Sequence, residues 1–171
     1  MNEVLKNILT RRSIRSFTEE RIPDEAVEQI VQAAIYAPSG RNLQSWHFTV
    51  IHDRDKIARL AAVMQELLGN PNYNLYKPDM LILVAADREN SLGQLDTGCA
   101  MENIFLAAHS LGIGSVWVNQ LYAFCDKEPL RALLTEYGLP ETHVVWGTAA
   151  LGYAAGPAAE RPRAEGTVNY A

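Results

Sequence analysis

Residues 37–48 read APSGRNLQSWHF, and within this stretch an apolar helix ends and a strand begins. Pro38 ends the helix, because the residue before a proline is pushed out of the helical region. Gly40 then supplies the backbone freedom that a tight connection needs. The side chains that follow carry mostly amide, guanidinium or hydroxyl groups, which offer the donors and acceptors that the edge of a flat polar heterocycle requires. A capped surface turn has the same composition, so the stretch alone leaves both interpretations open.

The composition predicts one soluble globular domain that covers residues 1–171. Of the 171 residues, 48% are hydrophobic and 20% are charged, with a formal net charge of -5. A chain of this length can bury well over half of its unfolded surface, so it builds a core without metal or disulfide support. The acidic balance argues against nucleic acid as a partner, because proteins that bind its backbone carry a basic face.

The cysteines and the N-terminus indicate no special compartment. Cys99 and Cys125 show no CxxC pairing and no ligand-like histidine spacing, so neither a disulfide framework nor a metal site is predicted. Both thiols are expected to be buried and inert. Residues 1–6 lack the pattern of a signal peptide, and no apolar run reaches the roughly 18 residues of a membrane span. We therefore expect a cytoplasmic protein with no metal and no membrane partner.

Two short basic clusters occur in this acidic chain. The first is RRSIRSF at residues 11–17, where alternation in an extended segment would send Arg11, Ser13 and Arg15 to one side. Arginine pairs bidentately with phosphate or carboxylate oxygens, and a serine hydroxyl can fill a remaining acceptor position. The second is RPR at residues 161–163, where the proline fixes an extended backbone that can aim both guanidinium groups at one anion. A solvated basic surface is the alternative for both clusters.

The spacing of apolar residues predicts helices and strands along the whole chain. Helices are predicted at residues 3–10, 54–68 and 95–111, between Pro23 and Pro38, and between Asp126, as the N-terminal cap, and Gly138. Strands are predicted at residues 46–52, 80–86 and 142–152, with a further strand that ends near Gln120. The run at 80–86 is apolar throughout, as in a strand covered on both faces, so it is expected at the centre of the sheet.

The helix at residues 95–111 is apolar almost all round, with Asp96, Glu102 and Asn103 as its polar exceptions. Such a helix must be buried on every side. In a chain of this size that is easiest if a second copy supplies part of the cover, so we expect this helix in the core of a homodimer. The turn LGIGSVWVNQ at 111–120 follows a helix and enters a strand. This is the reverse of the dinucleotide-binding order, which argues against a Rossmann fold.

The roles of two segments and two histidines stay open. The loop at residues 69–78 is rich in turn-forming residues but holds two tyrosines, so it either lines a substrate mouth or packs on the body. The tail at 153–171 has too few large apolar residues for a core of its own, and we expect a C-terminal arm that packs on the partner subunit. His47 and His52 are expected to be structural or solvent-facing.

Four segments together resemble one family, the FMN-dependent nitroreductases. They are RRSIRSF at 11–17, APSGRNLQSW at 37–46, LGIGSVW at 111–117 and RPR at 161–163, and they occur in the family's order over nearly the whole chain. The resemblance implies an α+β class and a three-layer α/β/α fold, with a central, mostly antiparallel mixed sheet flanked by helices. It also implies a single nitroreductase-like domain in an intertwined homodimer.

The resemblance also supplies the candidate cofactor-binding residues. The FMN phosphate and one ring edge would be held by Arg11, Arg12, Ser13, Arg15, Arg161 and Arg163. The same flavin would be approached from the other subunit by Pro38, Ser39, Gly40, Asn42 and Gln44. The isoalloxazine would lie against Trp117, Val118, Asn119 and Gln120, with a backbone amide near N5. Some larger members have Glu where this chain has Asn119, and the central region is short here, so the resemblance leaves the substrate pocket open.

The implied chemistry is hydride transfer through a flavin. NADH or NADPH would reduce FMN, leave, and be replaced by a nitroaromatic, quinone or other flat acceptor in a ping-pong cycle. The sequence offers no nucleophile–base pair and no paired carboxylates, as expected where a cofactor carries the chemistry, and no catalytic side chain is assigned. The alternatives are a flavin-binding or sensor module without turnover, and a flavin enzyme of the same fold with another reaction, such as reductive dehalogenation or flavin breakdown.

Overall fold

The computed structural model describes residues 1–158 and 162–170. The helices are α1 (Glu3–Thr10), α2 (Asp24–Ile35), α3 (Arg54–Leu68), α4 (Gly93–Ser110) and α5 (Leu130–Glu136). The strands are β1 (Trp46–Ile51), β2 (Met80–Asp87), β3 (Gly114–Val118) and β4 (His143–Gly152). The sequence periodicity therefore located each of these elements, although the boundaries of α4 and α5 differ from the prediction.

The four strands form one sheet in the order β1-β2-β4-β3, and every pair of neighbours is antiparallel. As predicted, β2 lies in the interior of the sheet, and Met80 to Ala86 are fully buried along it. Parallel pairing occurs at an isolated bridge between Ser13 and Ser115, at the outer edge of β3. The sheet is thus antiparallel in its four strands and mixed only through this bridge.

Helices cover both faces of the sheet and create two apolar cores. On one face, α3 and α5 bury Leu60, Met64 and Leu134 against the strands. On the other face, α2 and α4 bury Ile30, Met101 and their neighbours. The predicted three-layer α/β/α arrangement is confirmed. Burial of both faces accounts for the unbroken apolar run of β2, because neither side of that strand meets water.

Two local predictions were wrong. Asp126 does not cap α5, which begins at Leu130 after Pro129; its carboxylate accepts a hydrogen bond from Arg88 Nη2 instead, at 2.9 Å. Cys99 is exposed, whereas Cys125 is buried as expected. Cys99 lies one helical turn after Leu95, which is also exposed, so this part of α4 is open in the described part of the single chain.

Candidate functional site

The first basic segment lies beside the outer edge of the sheet. α1 ends at Thr10, and the following residues leave the helix because Arg11 has extended backbone angles. The backbone amide of Ile14 donates to the carbonyl oxygen of Ser115 on β3 at 2.9 Å. A second bridge joins Phe17 to Ala154, just after β4. The basic segment is thereby fixed to the sheet by main-chain hydrogen bonds.

The strands approach this segment closely because they have glycines opposite its apolar residues. A Cβ atom at Gly114 would lie 2.8 Å from Ile14 Cγ1, and one at Gly152 would lie 2.9 Å from Phe17 Cδ1. Real Cβ atoms do not approach neighbours so closely, so any larger residue would push the basic segment away. Within the 111–117 motif, Gly114 therefore serves close packing of the basic segment, whereas Gly112, with a φ of 74°, serves the turn.

Two adjoining cavities open along the basic segment. One, of about 250 Å³, is lined among others by Arg11, Arg12, His109, Gly112, Gly114 and Ser115. The other, of about 350 Å³, is lined by Ser13, Arg15 and the residues just after β4. Arg11 and Arg12, directly after α1, line the first cavity, whereas Ser13 and Arg15 line the second. That Arg11, Ser13 and Arg15 act on one anion stays a prediction.

The first cavity is electropositive and has polar groups with spare capacity. The Arg11 guanidinium lies over the Phe105 ring, 5.7 Å from its centroid, and Arg12 Nη1 donates to the carbonyl oxygens of Leu9 and Arg11. Burial, together with the two nearby arginines, lowers the pKa of His109. The hydroxyl of Ser115 is buried and has no hydrogen-bond partner in the described part of the chain. An anion suits this environment.

The loop at residues 38–44 is strained. It contains a short 3-10 helix, Gly40–Asn42, and three residues other than glycine adopt left-handed backbone angles. Their φ values are 54° at Arg41, 55° at Asn42 and 48° at Gln44. Such conformations are unfavourable for residues with a side chain and cluster at functional sites, where the surrounding structure enforces them. The strain supports the ring-binding interpretation of this loop over a plain surface turn.

Hydrogen bonds within the loop leave polar groups free to meet a ligand. The side chain of Gln44 donates through Nε2 to Asn42 Oδ1 at 2.8 Å, and the Gln44 amide donates to Ser39 Oγ at 3.2 Å. Each of these two amide side chains therefore retains donor or acceptor capacity, and both residues are exposed. A planar ring edge with both donors and acceptors fits such a surface.

Two residues of the α4 region hold this loop, and neither is among the site residues predicted from the sequence. Asp96, which is 5% exposed, accepts a hydrogen bond from the Gly40 amide through Oδ1 at 2.8 Å. Asn90 Nδ2 donates to Ser45 Oγ at 2.6 Å and to Asp96 Oδ2 at 3.4 Å. The sequence signal for Asp96 was its position as a carboxylate in an almost wholly apolar helix. The sequence around Asn90 has no comparable signal that would predict its role.

The four residues at the end of β3 differ in what they expose. The Trp117 ring lies against Gly147 and near Phe105, and it is partly exposed. Val118 is buried, so it can offer only its backbone, whereas Asn119 and Gln120 are exposed. Tyr73 of the 69–78 loop reaches this segment through a 3.5 Å hydrogen bond from its hydroxyl to Gln120 Oε1. Burial raises the pKa of Tyr73, so its hydroxyl stays protonated.

The predicted site residues form two groups within one chain. The basic segment contacts the C-terminal half of α4, through Arg11 on Phe105 and Thr10 on His109. The 38–44 loop contacts the N-terminal end of α4 through Asp96. With a rise of 1.5 Å per residue, Phe105 and His109 lie about 14 and about 20 Å from Asp96 along the helix. Arg163 is exposed in the tail, and Arg161 lies outside the described residues.

Metal and membrane features are absent from residues 1–158 and 162–170. No three of their histidine, cysteine, aspartate and glutamate side chains gather as metal ligands would. None of the described helices combines the length and apolarity that a membrane span requires.

Comparison with known proteins identifies the family. The model of the Nitroreductase family matches residues 8–73 and 66–153. A nitroreductase from Bacteroides fragilis, solved with bound FMN, superposes with a TM-score of 0.93 at 35% identity, with all of both chains covered. A protein from Archaeoglobus fulgidus, provisionally named NADH dehydrogenase/NAD(P)H nitroreductase, is 39% identical over 160 residues, 90% of this chain and 86% of that protein. The chain therefore belongs to the nitroreductase family, as predicted, and has its fold.

A third comparison concerns a protein named for its flavin chemistry. The FMN reductase (NAD(P)H) of Bacillus subtilis is 29% identical over an alignment of 181 positions, which covers 95% of this chain and 70% of that protein. The named relatives thus include both nitroreductases and flavin reductases.

Proposed function

We propose that this chain is an FMN-dependent oxidoreductase that uses NADH or NADPH to reduce a nitroaromatic, quinone or similar flat acceptor by a ping-pong mechanism. The observation that carries the proposal is the pair of polar groups described above, an arginine-rich segment over two cavities and a strained loop of amide side chains. The FMN bound by the Bacteroides fragilis relative and the names of the other relatives support the same assignment.

The charges and hydrogen-bonding groups of the described residues suit FMN. Arg11, Arg12, Ser13 and Arg15 lie along the two cavities and would hold the phosphate, with Arg161 and Arg163 from the tail. The unpartnered Ser115 hydroxyl beside the same cavity would gain an acceptor oxygen. The ring would meet Pro38, Ser39, Gly40, Asn42 and Gln44 on one side and Trp117, Val118, Asn119 and Gln120 on the other. When bound, FMN supplies the hydride-accepting and electron-donating chemistry that these side chains lack.

The protein's contribution to the reaction is orientation and electrostatics. Guanidinium groups at the basic segment balance the dianionic phosphate and fix the position of the ring relative to β3. Amide donors of the 38–44 loop stabilise negative charge at the polar edge of the ring, where preorganised donors are most effective. The Tyr73 hydroxyl, which stays protonated, donates to Gln120 Oε1 and would orient that side chain beside the ring.

We also propose that the active unit is a homodimer in which each flavin contacts both chains. Apolar residues of α1 support this, because Val4, Leu5, Ile8 and Leu9 are between 44% and 68% exposed and α1 buries none of its residues. Leu95 adds a further exposed apolar side chain on α4. A two-fold axis near α4 would cover these faces and bring the loop of one chain toward the basic segment of the other. The C-terminal arm at 153–171 would then pack on the partner subunit.

Anaerobic flavin reduction tests the proposed activity. The purified protein should be yellow, with about one FMN per chain, and NADH or NADPH should bleach the bound flavin within the mixing time of a rapid spectrophotometer. Addition of a quinone or nitroaromatic should restore the colour. A flavin-binding or sensor module would keep its colour in the presence of either nicotinamide. Free FMN at the same concentration is the control, because it shows how fast the reductant acts without protein.

A subunit-mixing experiment tests the two-chain site. Arg11→Ala and Asn42→Ala are each expected to impair activity, and the two variants are then unfolded and refolded together. If each site uses Arg11 from one chain and Asn42 from the other, a heterodimer has one intact and one doubly damaged site. Random pairing then restores about a quarter of wild-type activity. Absence of recovery, with both variants still dimeric, would mean that each site is built within one chain.

A further inference from the structure

We infer that Asp96 and Asn90 are positioning residues for the flavin, acting through a clamp that fixes both ends of the loop at residues 40–45. Asp96 holds the Gly40 amide at the start of this loop, and Asn90 holds the Ser45 hydroxyl at its end. The two clamping side chains also contact each other, since Asn90 Nδ2 lies 3.4 Å from Asp96 Oδ2. The inference rests on the proposed function, because it assigns a role in flavin binding to groups that need not touch the flavin.

The clamp encloses the strained part of the loop. Arg41, Asn42 and Gln44 have left-handed backbone angles and lie between the two clamped residues. A free loop would relax from three such conformations, because each is unfavourable for a residue with a side chain. Held at both ends, the loop presents Asn42 and Gln44 in one arrangement, which reduces the ordering that flavin binding would otherwise require.

Asp96 is well suited to this task. Its carboxylate is buried in the first turn of α4, where the helix dipole favours negative charge. Its two oxygens accept from two donors at once, the Gly40 amide and Asn90 Nδ2. A neutral amide at position 96 can accept through only one atom, and its own NH₂ group would then face the NH₂ group of Asn90.

Packing reinforces the hydrogen bonds. A Cβ atom at Gly40 would lie 2.3 Å from Leu92 Cδ1, so the loop backbone rests directly on the residue that precedes α4. The amide of Leu92 in turn donates to Asn90 Oδ1 at 3.0 Å. The loop, Asn90, Leu92 and Asp96 thus form one connected unit. In the proposed dimer this unit belongs to one chain and acts on the flavin whose phosphate is held by the other.

Flavin titration tests the clamp. Asp96→Ala removes both acceptors and should raise the Kd for FMN about tenfold or more, as expected when a charged partner of buried donors is lost. Asp96→Asn should give a smaller rise in the Kd. Ser45→Ala removes only the hydrogen bond from Asn90 to the Ser45 hydroxyl, and it should also weaken FMN binding. The matched control is Asp55→Asn, which removes an exposed carboxylate from the first turn of α3 and should leave the Kd within about twofold of wild type.

Subunit mixing separates positioning from a general effect on folding. Asp96→Ala mixed with Arg11→Ala should recover about a quarter of wild-type activity, as Asn42→Ala does, whereas Asp96→Ala mixed with Asn42→Ala should recover none. Recovery in the second mixture would overturn the inference, and so would a folded Asp96→Ala protein with unchanged Kd. If Asp96→Ala does not fold, the Kd for FMN of the Asp96→Asn and Ser45→Ala variants tests the inference instead. An unchanged Kd in both variants would overturn the inference. If the mixture of Arg11→Ala and Asn42→Ala recovers no activity, that result counts against the two-chain site. The flavin titrations still test the clamp in that case.

Discussion

Gly114→Ala should weaken flavin binding although residue 114 has no side chain to bind anything. The new Cβ atom would lie 2.8, 2.9 and 3.0 Å from three atoms of Ile14. Carbon atoms prefer about 3.5 to 4.0 Å, so the basic segment must retreat by about 0.5 to 1 Å. Ile14 is β-branched and cannot easily rotate its side chain away.

The retreat affects both stability and ligand binding. It lengthens the 2.9 Å hydrogen bond from the Ile14 amide to Ser115, and loss of that bond costs about 1 kcal/mol. Overpacking adds about 1 to 2 kcal/mol, so we expect a fall of about 2 to 3 kcal/mol in the free energy of unfolding. Because Ser13 and Arg15 move with Ile14, the Kd for FMN should rise about tenfold, which corresponds to about 1.4 kcal/mol.

Chemical denaturation and flavin titration measure the two effects. The double variant Gly114→Ala, Ile14→Ala is the matched control, because removal of the larger Ile14 side chain creates room for the new methyl group. The coupling energy between the two substitutions should then be favourable by about 1 to 2 kcal/mol. Additive effects, or a Gly114→Ala protein with wild-type stability and Kd, would refute the role of the glycine as the contact surface of the basic segment.

Three further substitutions make independent predictions. Arg163→Ala should weaken FMN retention by about 1.5 to 3 kcal/mol without changing the melting temperature of the flavin-free protein; an unchanged Kd would remove Arg163 from the site. Asp79→Asn should lower the free energy of unfolding by about 3 kcal/mol at pH 7, since His52 and Arg54 lose a buried carboxylate partner. In denaturation curves this loss should start to shrink as pH falls below about 4. His109→Asn should abolish one pH dependence of the flavin-free protein, whose stability should otherwise fall as pH drops through about 6.5. A His109→Asn protein with the wild-type pH profile of unfolding would contradict the last prediction.

The signs of the two pH effects follow from opposite pKa shifts. Burial by itself raises the pKa of Asp79, but hydrogen bonds from the Ile22 amide, His52 and Arg54 outweigh it and the pKa is lowered. A carboxylate of this kind stabilises the fold above its unfolded pKa and loses the effect as pH falls. The lowered pKa of His109 means that the unfolded chain takes up a proton first, so acid favours unfolding before His109 is protonated in the fold.

Helices and strands could be predicted from sequence where one physical signal determines them. The apolar run at 80–86 predicted an interior strand because both faces of the sheet are covered. Pro38 and Gly40 predicted the break between α2 and β1. Asp126 was misjudged because its carboxylate has a stronger partner in Arg88, which is distant in sequence and close only in the fold. Periodicity carries no information about such competition.

The composition of the site was more predictable than its geometry. The sequence and its family resemblance named the arginines and amides, but not the left-handed angles at Arg41, Asn42 and Gln44, because residues with side chains rarely adopt them. Asn90 could not be found from sequence, since one of its partners, Ser45, is 45 residues away along the chain and only the fold brings the two together. Cys99 was expected to be buried because it has no partner cysteine or ligand-like histidine spacing, but this pattern carries no information on exposure, and Cys99 is exposed in the single chain.

A crystal structure of the FMN-loaded protein tests the central claim most directly. The claim predicts that each phosphate lies against Arg11, Ser13 and Arg15 of one chain, and that the ring of the same flavin meets Asn42 and Gln44 of the other chain. A flavin whose phosphate and ring both contact residues of a single chain, or that lies away from the two arginine-lined cavities, would contradict it.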